Sequence, residues 1–189
     1  YFMQNRIDGL IYVSYVGVGK DGLIDDLAKA VIPFVCIIGA RDIPGVSCID
    51  VSFIESGMMA VNHLAEKGYK NILYLLEDKA ECLKYAEKER FEGCARSAAE
   101  HNLKIHTTEA FFGVRGEAQY IKTAEKLLEA GGFDAVVSTS YKCFAFLKAA
   151  AKRGIKVPEA LGIISLDNDL FAPYLYPSLT TVDEPLYDI

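Results

Sequence analysis

The sequence has no run of basic residues and no excess of positive charge. Its 20 lysines and arginines are outnumbered by 26 aspartates and glutamates, which gives a formal net charge of −6. A chain of this charge repels the phosphate backbone of nucleic acids, and no local basic cluster offsets that repulsion. These residues alone are therefore not expected to bind DNA.

Paired cysteine motifs are also missing. The five cysteines are scattered and include no C-x-x-C pair, which argues against a disulfide framework and against a zinc cluster. We interpret them as reduced thiols and expect a cytoplasmic protein. The apolar stretches are far shorter than the roughly 20 residues that a membrane helix needs. The first six residues also lack the apolar region of a signal peptide, so no association with a membrane is expected.

Arrangements typical of catalysis are lacking. The three histidines, His63, His101 and His106, have no spacing to each other or to carboxylates that suggests a metal site. No serine lies in the G-x-S-x-G turn that exposes an activated hydroxyl. The sequence therefore predicts no catalytic residues, no metal, no cofactor and no enzymatic activity.

One pattern keeps an enzymatic alternative open. Residues 17–22 read Gly-Val-Gly-Lys-Asp-Gly, and Asp42 follows about twenty residues later, as in the dinucleotide fingerprint of nicotinamide-dependent oxidoreductases. Glycines at these positions also satisfy ordinary turn geometry, and a single match of this kind is weak. The segment does not fit a phosphate-binding P-loop, because the G-K-[ST] ending is absent.

What the sequence does contain is an alternation of short apolar runs with amphipathic segments. The apolar runs predict buried strands at residues 9–13, 34–38, 72–76, 135–137 and 161–166, and helices are predicted between them. Continuous apolar strands joined by crossover helices are typical of parallel sheets covered on both faces. The predicted fold class is therefore α/β.

Ligands of such sheets bind beyond the carboxyl ends of the strands. The candidate site residues are those that directly follow a predicted strand. They are Ser14 and Tyr15, the segment 77–90, Phe112, residues 139–141 and residues 167–169.

Several stretches, in order, resemble the LacI-type family of bacterial transcription regulators. The matching segments are Ile7-Asp8-Gly9-Leu10-Ile11, Gly57 to Leu64 (G-x-x-A-x-x-H-L), Arg90-Phe91-Glu92-Gly93 (R-x-x-G), Phe133-Asp134-Ala135-Val136, Gly154 to Pro158, Ile163 to Asn168, and Pro177 to Val182 with Pro185. No single segment is specific, but the ordered set covers essentially the whole chain.

The resemblance implies a two-lobed fold of the periplasmic-binding-protein type (type I). Residues 1–50 and 180–189 are then expected to belong to an incomplete lobe nearer DNA, and residues 51–179 to the complete distal lobe. The implied function is allosteric sensing of a small molecule, a sugar or sugar derivative, bound between the lobes. A homodimer is expected, with operator DNA contacted only through a helix-turn-helix head that these residues do not include.

Two effector-binding positions are implied by matching motifs. Arg90 in R-x-x-G would hold the effector through its planar fork of donors, and Asp167 would accept hydrogen bonds from ligand hydroxyls or amines. The alternatives are an exposed arginine at a helix start and an aspartate that caps a short following helix. Both alternatives stay open at this point.

Other positions depart from the family pattern. Thr139 and Ser140, or Ser140 and Tyr141, stand where the family usually has Asn-Asp, and Ser165 replaces a glycine. We include Thr139, Ser140, Tyr15 and Phe112 among the candidate effector-binding residues, with Phe112 as a ring that could stack on a ligand or lie buried. An atypical sugar, a phosphorylated sugar and a cationic compound all stay open as the effector.

Two other functions remain to be weighed. An extracytoplasmic solute-binding protein would share the fold but would carry a signal peptide and act as a monomer. A nicotinamide-dependent oxidoreductase would be built around Gly17 to Gly22.

Overall fold

The computed structural model describes residues 7–13, 26–27, 29, 33–38, 44–76, 85–111, 113–114 and 116–184. The chain divides into two compact units. The first unit consists of residues 1–52, 84–86 and 185–189, and the second of residues 53–83 and 87–184. Each unit is built around its own sheet.

The first unit holds a three-stranded parallel sheet in the order β1-β2-β3. Its strands are β1 (Leu10–Val13), β2 (Phe34–Ile37) and β3 (Ser47–Ile49). Cys36 is fully buried at its centre, packed against Tyr12, Phe34, Val46 and Cys48. Of the helix predicted between the first two strands, the described residues Asp26, Leu27 and Lys29 are helical.

The second unit holds a five-stranded sheet in the order β5-β4-β6-β7-β8, and all of its pairings are parallel. Helices connect most of its strands. In chain order the elements are α1 (Phe53–Glu66), β4 (Asn71–Leu75), α2 (Tyr85–Glu100), β5 (Lys104–Thr108), α3 (Glu117–Ala130), β6 (Ala135–Ser138), α4 (Ser140–Lys152), β7 (Gly162–Ser165) and β8 (Thr180–Thr181).

Alternate residues of the central strands pack into two separate hydrophobic cores, one on each face of the second sheet. Leu73, Val136 and Ile163 pack with residues of α3 and α4 on one face of the second sheet. Their neighbours Tyr74 and Val137 pack with α1 and α2 on the other face. Both faces of β6 and β7 are thus buried, which is why these strands are continuously apolar in the sequence.

The predicted α/β class and the five predicted strands are confirmed. Three strands were not predicted individually. β3 and β8 have only three and two residues, which carry no periodic signal, and β5, with the sequence Lys-Ile-His-Thr-Thr, lacks the apolar run of a buried strand. The lobe boundary expected at residue 180 falls on β8, which is hydrogen-bonded to β7 in the second unit. No helix among the described residues combines the length and apolar character that crossing a membrane requires.

Helices α1 and α2 approach each other backbone to backbone. A Cβ atom on Gly57 would overlap the carbonyl oxygen of Arg90 and lie 2.8 Å from the Cys94 nitrogen. A Cβ on Gly93 would overlap the carbonyl oxygen of Ile54. The Cys94 thiol also donates to the Gly57 carbonyl oxygen over 3.4 Å. Only glycine at both positions permits this crossing.

We predict that Gly57→Ala destabilises the second unit. Helix propensity alone would make alanine more favourable by about 1 kcal/mol. The new methyl group, however, meets a helix backbone that cannot move aside, so we expect a net loss of about 2 kcal/mol or more. Urea unfolding followed by circular dichroism measures the difference.

The matched control is Met59→Ala on the same helix, where the side chain is 58% exposed. This control is expected to change the free energy of unfolding by less than about 0.5 kcal/mol. A Gly57→Ala variant as stable as the wild type would show that the two helices are free to separate.

Candidate functional site

Polar side chains gather at the carboxyl edge of the second sheet, where β4, β6, β7 and β8 end. Ser138, the last residue of β6, donates its hydroxyl to the carbonyl oxygen of Leu75 at 3.2 Å. Ser165, the last residue of β7, is fully buried. In open parallel sheets this edge is where ligands bind. The polar edge, as we call it, consists of Arg90 from α2 and of Ser138, Ser140, Ser165, Asp167, Asn168, Thr181, Asp183 and Glu184.

Asp167 is the most heavily hydrogen-bonded residue of the polar edge. Its Oδ1 accepts from the backbone N–H of Ser140 at 2.8 Å and from the Ser140 hydroxyl at 2.9 Å. The Ser165 hydroxyl donates to the same oxygen. Both serines are buried, with exposures of 1% and 0%. These bonds hold the carboxylate in one position.

The Asp167 carboxylate therefore lies at the N-terminus of α4. Ser140 is the first residue of that helix, so its N–H has no partner within the helix. A negative charge there is also favoured by the helix dipole. Thr139 is the N-cap residue, with extended backbone angles and no capping bond from its own side chain. Asp167, which follows β7, thus caps α4. It does not cap the short helix that was expected to follow it.

Arg90 lies near the start of α2 and is mostly buried, with 12% of its side chain exposed. One terminal nitrogen donates to Oε1 of Glu184. The guanidinium carbon lies 4.9 Å from the centre of the Phe53 ring, a distance typical of a cation–π contact. Among the described residues, Nε of Arg90 has no hydrogen-bond partner. The alternative of an exposed arginine at a helix start is therefore wrong.

Glu184 was not among the predicted site residues. It follows β8, two residues beyond Val182, and its side chain is only 16% exposed in the ion pair. Its neighbour Asp183 accepts from the Asn168 side chain at 2.9 Å, and Asn168 accepts from the Thr181 hydroxyl at 3.1 Å. Side chains joined by hydrogen bonds and an ion pair thus lie along the edge between Arg90 and Asp167. The only sequence signal was a pair of carboxylates after the predicted L-T-T-V segment.

Three ionisable side chains close to Arg90 or Asp167 are buried and unreactive. Burial, followed by the charge of Glu87, raises the pKa of the Tyr74 hydroxyl well above its usual value. Burial likewise raises the pKa of the Cys94 thiol and of the Cys143 thiol next to Asp167. These groups therefore stay protonated at neutral pH, and neither thiol has the character of a nucleophile.

Some predicted site residues lie outside the described residues. These are Ser14, Tyr15, Phe112 and residues 77–84 of the loop before Arg90, and also the glycine segment 17–22 with Asp42 of the dinucleotide alternative. The assignment of Tyr15 and Phe112 to the effector site stays a prediction. Within the described ranges, no group of three or more His, Cys, Asp or Glu side chains has a metal-binding arrangement.

Two pockets of the second unit are lined by neither Arg90 nor Asp167. One of about 560 Å³ is lined by residues at the amino ends of the strands, including Tyr69, Asp134 and Gly162. Another of about 830 Å³ lies between α3, α4 and residues 171–176, and its lining includes Tyr141 of the predicted site residues 139–141. The pockets and the hydrogen-bonded polar groups thus suggest different positions for a ligand-binding site. We favour the position of the polar groups, because such groups determine how a ligand is oriented.

Comparison with protein families gives a match to the periplasmic binding protein-like domain over residues 61–189. Among individual proteins, catabolite control protein A of Priestia megaterium is 28% identical over 99% of this chain. The HTH-type transcriptional repressor PurR of Aliivibrio salmonicida is 30% identical over 96% of it. The chain spans 56% and 54% of the lengths of these two relatives.

Comparison with solved structures agrees. A periplasmic binding protein/LacI transcriptional regulator from Alkaliphilus metalliredigens, crystallised in complex with D-xylulofuranose, has a TM-score of 0.72 and 25% sequence identity. The match covers 98% of this chain and 66% of the other. Both units of the present structure therefore have counterparts in a protein that binds a sugar.

We predict that Ser165→Ala lowers stability by about 1.5–3 kcal/mol, because it removes a buried hydroxyl that donates to a carboxylate. The measurement is urea unfolding. Ser178→Ala, which removes an exposed hydroxyl, is the control and is expected to cost less than about 0.5 kcal/mol. Equal stability of the two variants would mean that Ser165 does not anchor Asp167.

Proposed function

The chain belongs to the family of periplasmic binding protein-like domains, and on that premise we propose that it is the effector-sensing core of a LacI-type transcription regulator. The observation that carries the proposal is the polar edge, where Arg90 and Asp167 are both held by side-chain contacts at the carboxyl end of a parallel sheet. The regulators that resemble the chain over nearly its whole length support the same function.

The effector we propose is a small polyhydroxy compound. The Arg90 guanidinium can donate to ligand oxygens, and the hydrogen bonds described for the Asp167 carboxylate all fall on Oδ1. Its second oxygen is therefore the acceptor that a ligand hydroxyl would meet. The sugar bound by the Alkaliphilus metalliredigens protein supports this class of ligand. Thr139, Ser140, Tyr15 and Phe112 stay proposed as further contacts.

In this proposal the effector changes the relative stability of two orientations of the lobes. A ligand shifts such an equilibrium only by its difference in affinity for the two states. DNA itself would be bound through a separate helix-turn-helix head, since the chain carries a net charge of −6. We place the protein in the cytoplasm, where operator DNA is found. The described cysteines, which are all free thiols, fit that compartment.

The alternative functions have less support. An extracytoplasmic solute-binding protein would share the fold, but the relative from Aliivibrio salmonicida is named as a transcriptional repressor. For the oxidoreductase, the glycine segment 17–22 lies outside the described residues and contributes no geometry. The similarity to regulators favours a binding protein over an enzyme.

We predict that Arg90→Gln and Asp167→Asn each weaken effector binding about ten- to a hundredfold, because each removes a charge-assisted hydrogen bond. Asparagine is preferred over alanine at 167 because it keeps an oxygen that can accept from the N-terminus of α4. The effector is first identified by a thermal-shift screen of sugars, sugar phosphates and nucleosides. Dissociation constants are then measured by calorimetry.

Lys67→Gln, in the pocket at the opposite edge of the sheet, is the control and should leave the dissociation constant unchanged. If both residues contact one ligand, the double variant should show non-additive losses. Unchanged affinity in either single variant would exclude that residue from the site.

We further propose that the chain forms a homodimer through an exposed aromatic surface in the second unit. The surface consists of Tyr141, Leu170, Phe171, Tyr174 and Tyr176, each at least 66% exposed. It borders the groove of about 830 Å³ between α3, α4 and residues 171–176. Tyr141, Phe171 and Tyr176 line this groove together, and exposed aromatic groups that lie side by side are typical of protein interfaces. A second copy of the chain is the partner we propose.

We predict that Phe171→Ser combined with Tyr176→Ser weakens self-association at least about tenfold, because large aromatic anchors carry most of the energy of an interface. Sedimentation velocity over a range of concentrations measures this. The control is Met59→Ser, which removes an exposed apolar side chain on α1. A wild-type chain that stays monomeric at high concentration would contradict the proposal.

A further inference from the structure

The ion pair between Arg90 and Glu184 has a consequence for the charge of the effector. Arg90 is the residue that would attract an anionic ligand group, yet a terminal nitrogen already donates to a carboxylate of the chain itself. The two side chains are 12% and 16% exposed. Because water screens such a pair only in part, each charge is substantially compensated by the other.

An anionic ligand would therefore meet an unfavourable environment at Arg90. It would either displace Glu184, leaving a mostly buried carboxylate without its cation, or bind beside that carboxylate against like-charge repulsion. Removing one partner of a buried ion pair is costly because the other charge remains uncompensated. A phosphate or carboxylate on the ligand thus gains little from this arginine.

The other charges of the polar edge act in the same direction. Asp183 adjoins Glu184, and Asp167 lies further along the edge. The described basic groups are Arg90 and the buried Lys142 in the first turn of α4. Asp169 also follows β7, and the buried Glu87 lies one helical turn before Arg90 on α2, so carboxylates outnumber basic groups here before any ligand arrives. An anionic group would increase this imbalance, whereas a neutral or cationic group would not.

The groups left for a ligand suit hydroxyls and amines. The Nε–H of Arg90 is buried and has no hydrogen-bond partner among the described residues, so a neutral ligand oxygen that reached it would satisfy an unpaired donor. The second oxygens of Asp167 and Glu184 are acceptors for O–H or N–H groups.

From this arrangement we infer that Glu184 is a specificity-determining residue that excludes effectors with an anionic group at Arg90. Granted the effector site proposed above, the ligand is an uncharged or amine-bearing polyhydroxy compound. Phosphate esters and carboxylates are rejected. Glu184 acts by compensating the charge of Arg90 and by repelling a second anion.

The test uses inorganic phosphate as the probe, because it needs no knowledge of the effector. Thermal unfolding of the chain is followed at increasing phosphate and constant ionic strength, adjusted with potassium chloride. We expect no phosphate-specific stabilisation of the wild type. In Glu184→Gln, phosphate should bind about tenfold more tightly and produce a saturable rise in Tm of about 2–4 °C. Glu184→Ala is measured alongside, should the glutamine variant fail to fold.

Two controls assign the effect to the ion pair. Asp183→Asn removes the adjacent carboxylate, which contacts Asn168 and not Arg90. It should increase phosphate affinity less than Glu184→Gln does, or not at all. Arg90→Met added to Glu184→Gln should abolish the increase in phosphate affinity. The inference is overturned if phosphate stabilises the wild type but not Arg90→Met, or if neither folded Glu184 variant gains phosphate binding. An effector screen without any hit would contradict the proposed function and leave this titration interpretable.

Discussion

The second unit depends on the backbone contact between α1 and α2 at Gly57 and Gly93. Because neither helix carries a side chain at the crossing, α1 lies directly against the carbonyl oxygen of Arg90. The same crossing places Phe53, the first residue of α1, under the Arg90 guanidinium. One steric requirement thus positions both the arginine and the ring on which it rests. Two motifs more than thirty residues apart in the sequence are the two halves of this contact.

A second set of contacts fixes the opposite end of the polar edge. The N-terminus of α4 needs an acceptor, and Asp167 provides it through a single carboxylate oxygen shared with two buried serines. The same carboxylate oxygen therefore caps the N-terminus of α4 and is held in position by the two serines. Between the two ends, Asn168, Thr181 and Asp183 link the segments after β7 and β8. The groups that we propose as ligand contacts are thus held in place by the fold, and such preorganisation limits the entropy that binding must overcome.

Much of the fold was predictable from local pattern, and much of the site was not. Apolar runs such as residues 72–76 predicted buried strands because both faces of the sheet are covered. The position of Arg90 and Asp167 at one sheet edge followed from parallel topology and the resemblance to LacI-type regulators. The ion pair with Glu184 could not be predicted, because it depends on β8 pairing with β7 and has no periodic signal. Equally, the contact of Asp167 with Ser140 joins residues 27 positions apart.

On the proposed function, the effector binds at the polar edge and not in the two pockets described elsewhere in the second unit. The most direct measurement is nuclear magnetic resonance of the ¹⁵N-labelled chain with and without a saturating effector. We predict that the Nε–H signal of Arg90 and the backbone amide signal of Ser140 shift on binding. Shifts confined to residues around Tyr69, or to the groove between α3 and α4, would contradict the account.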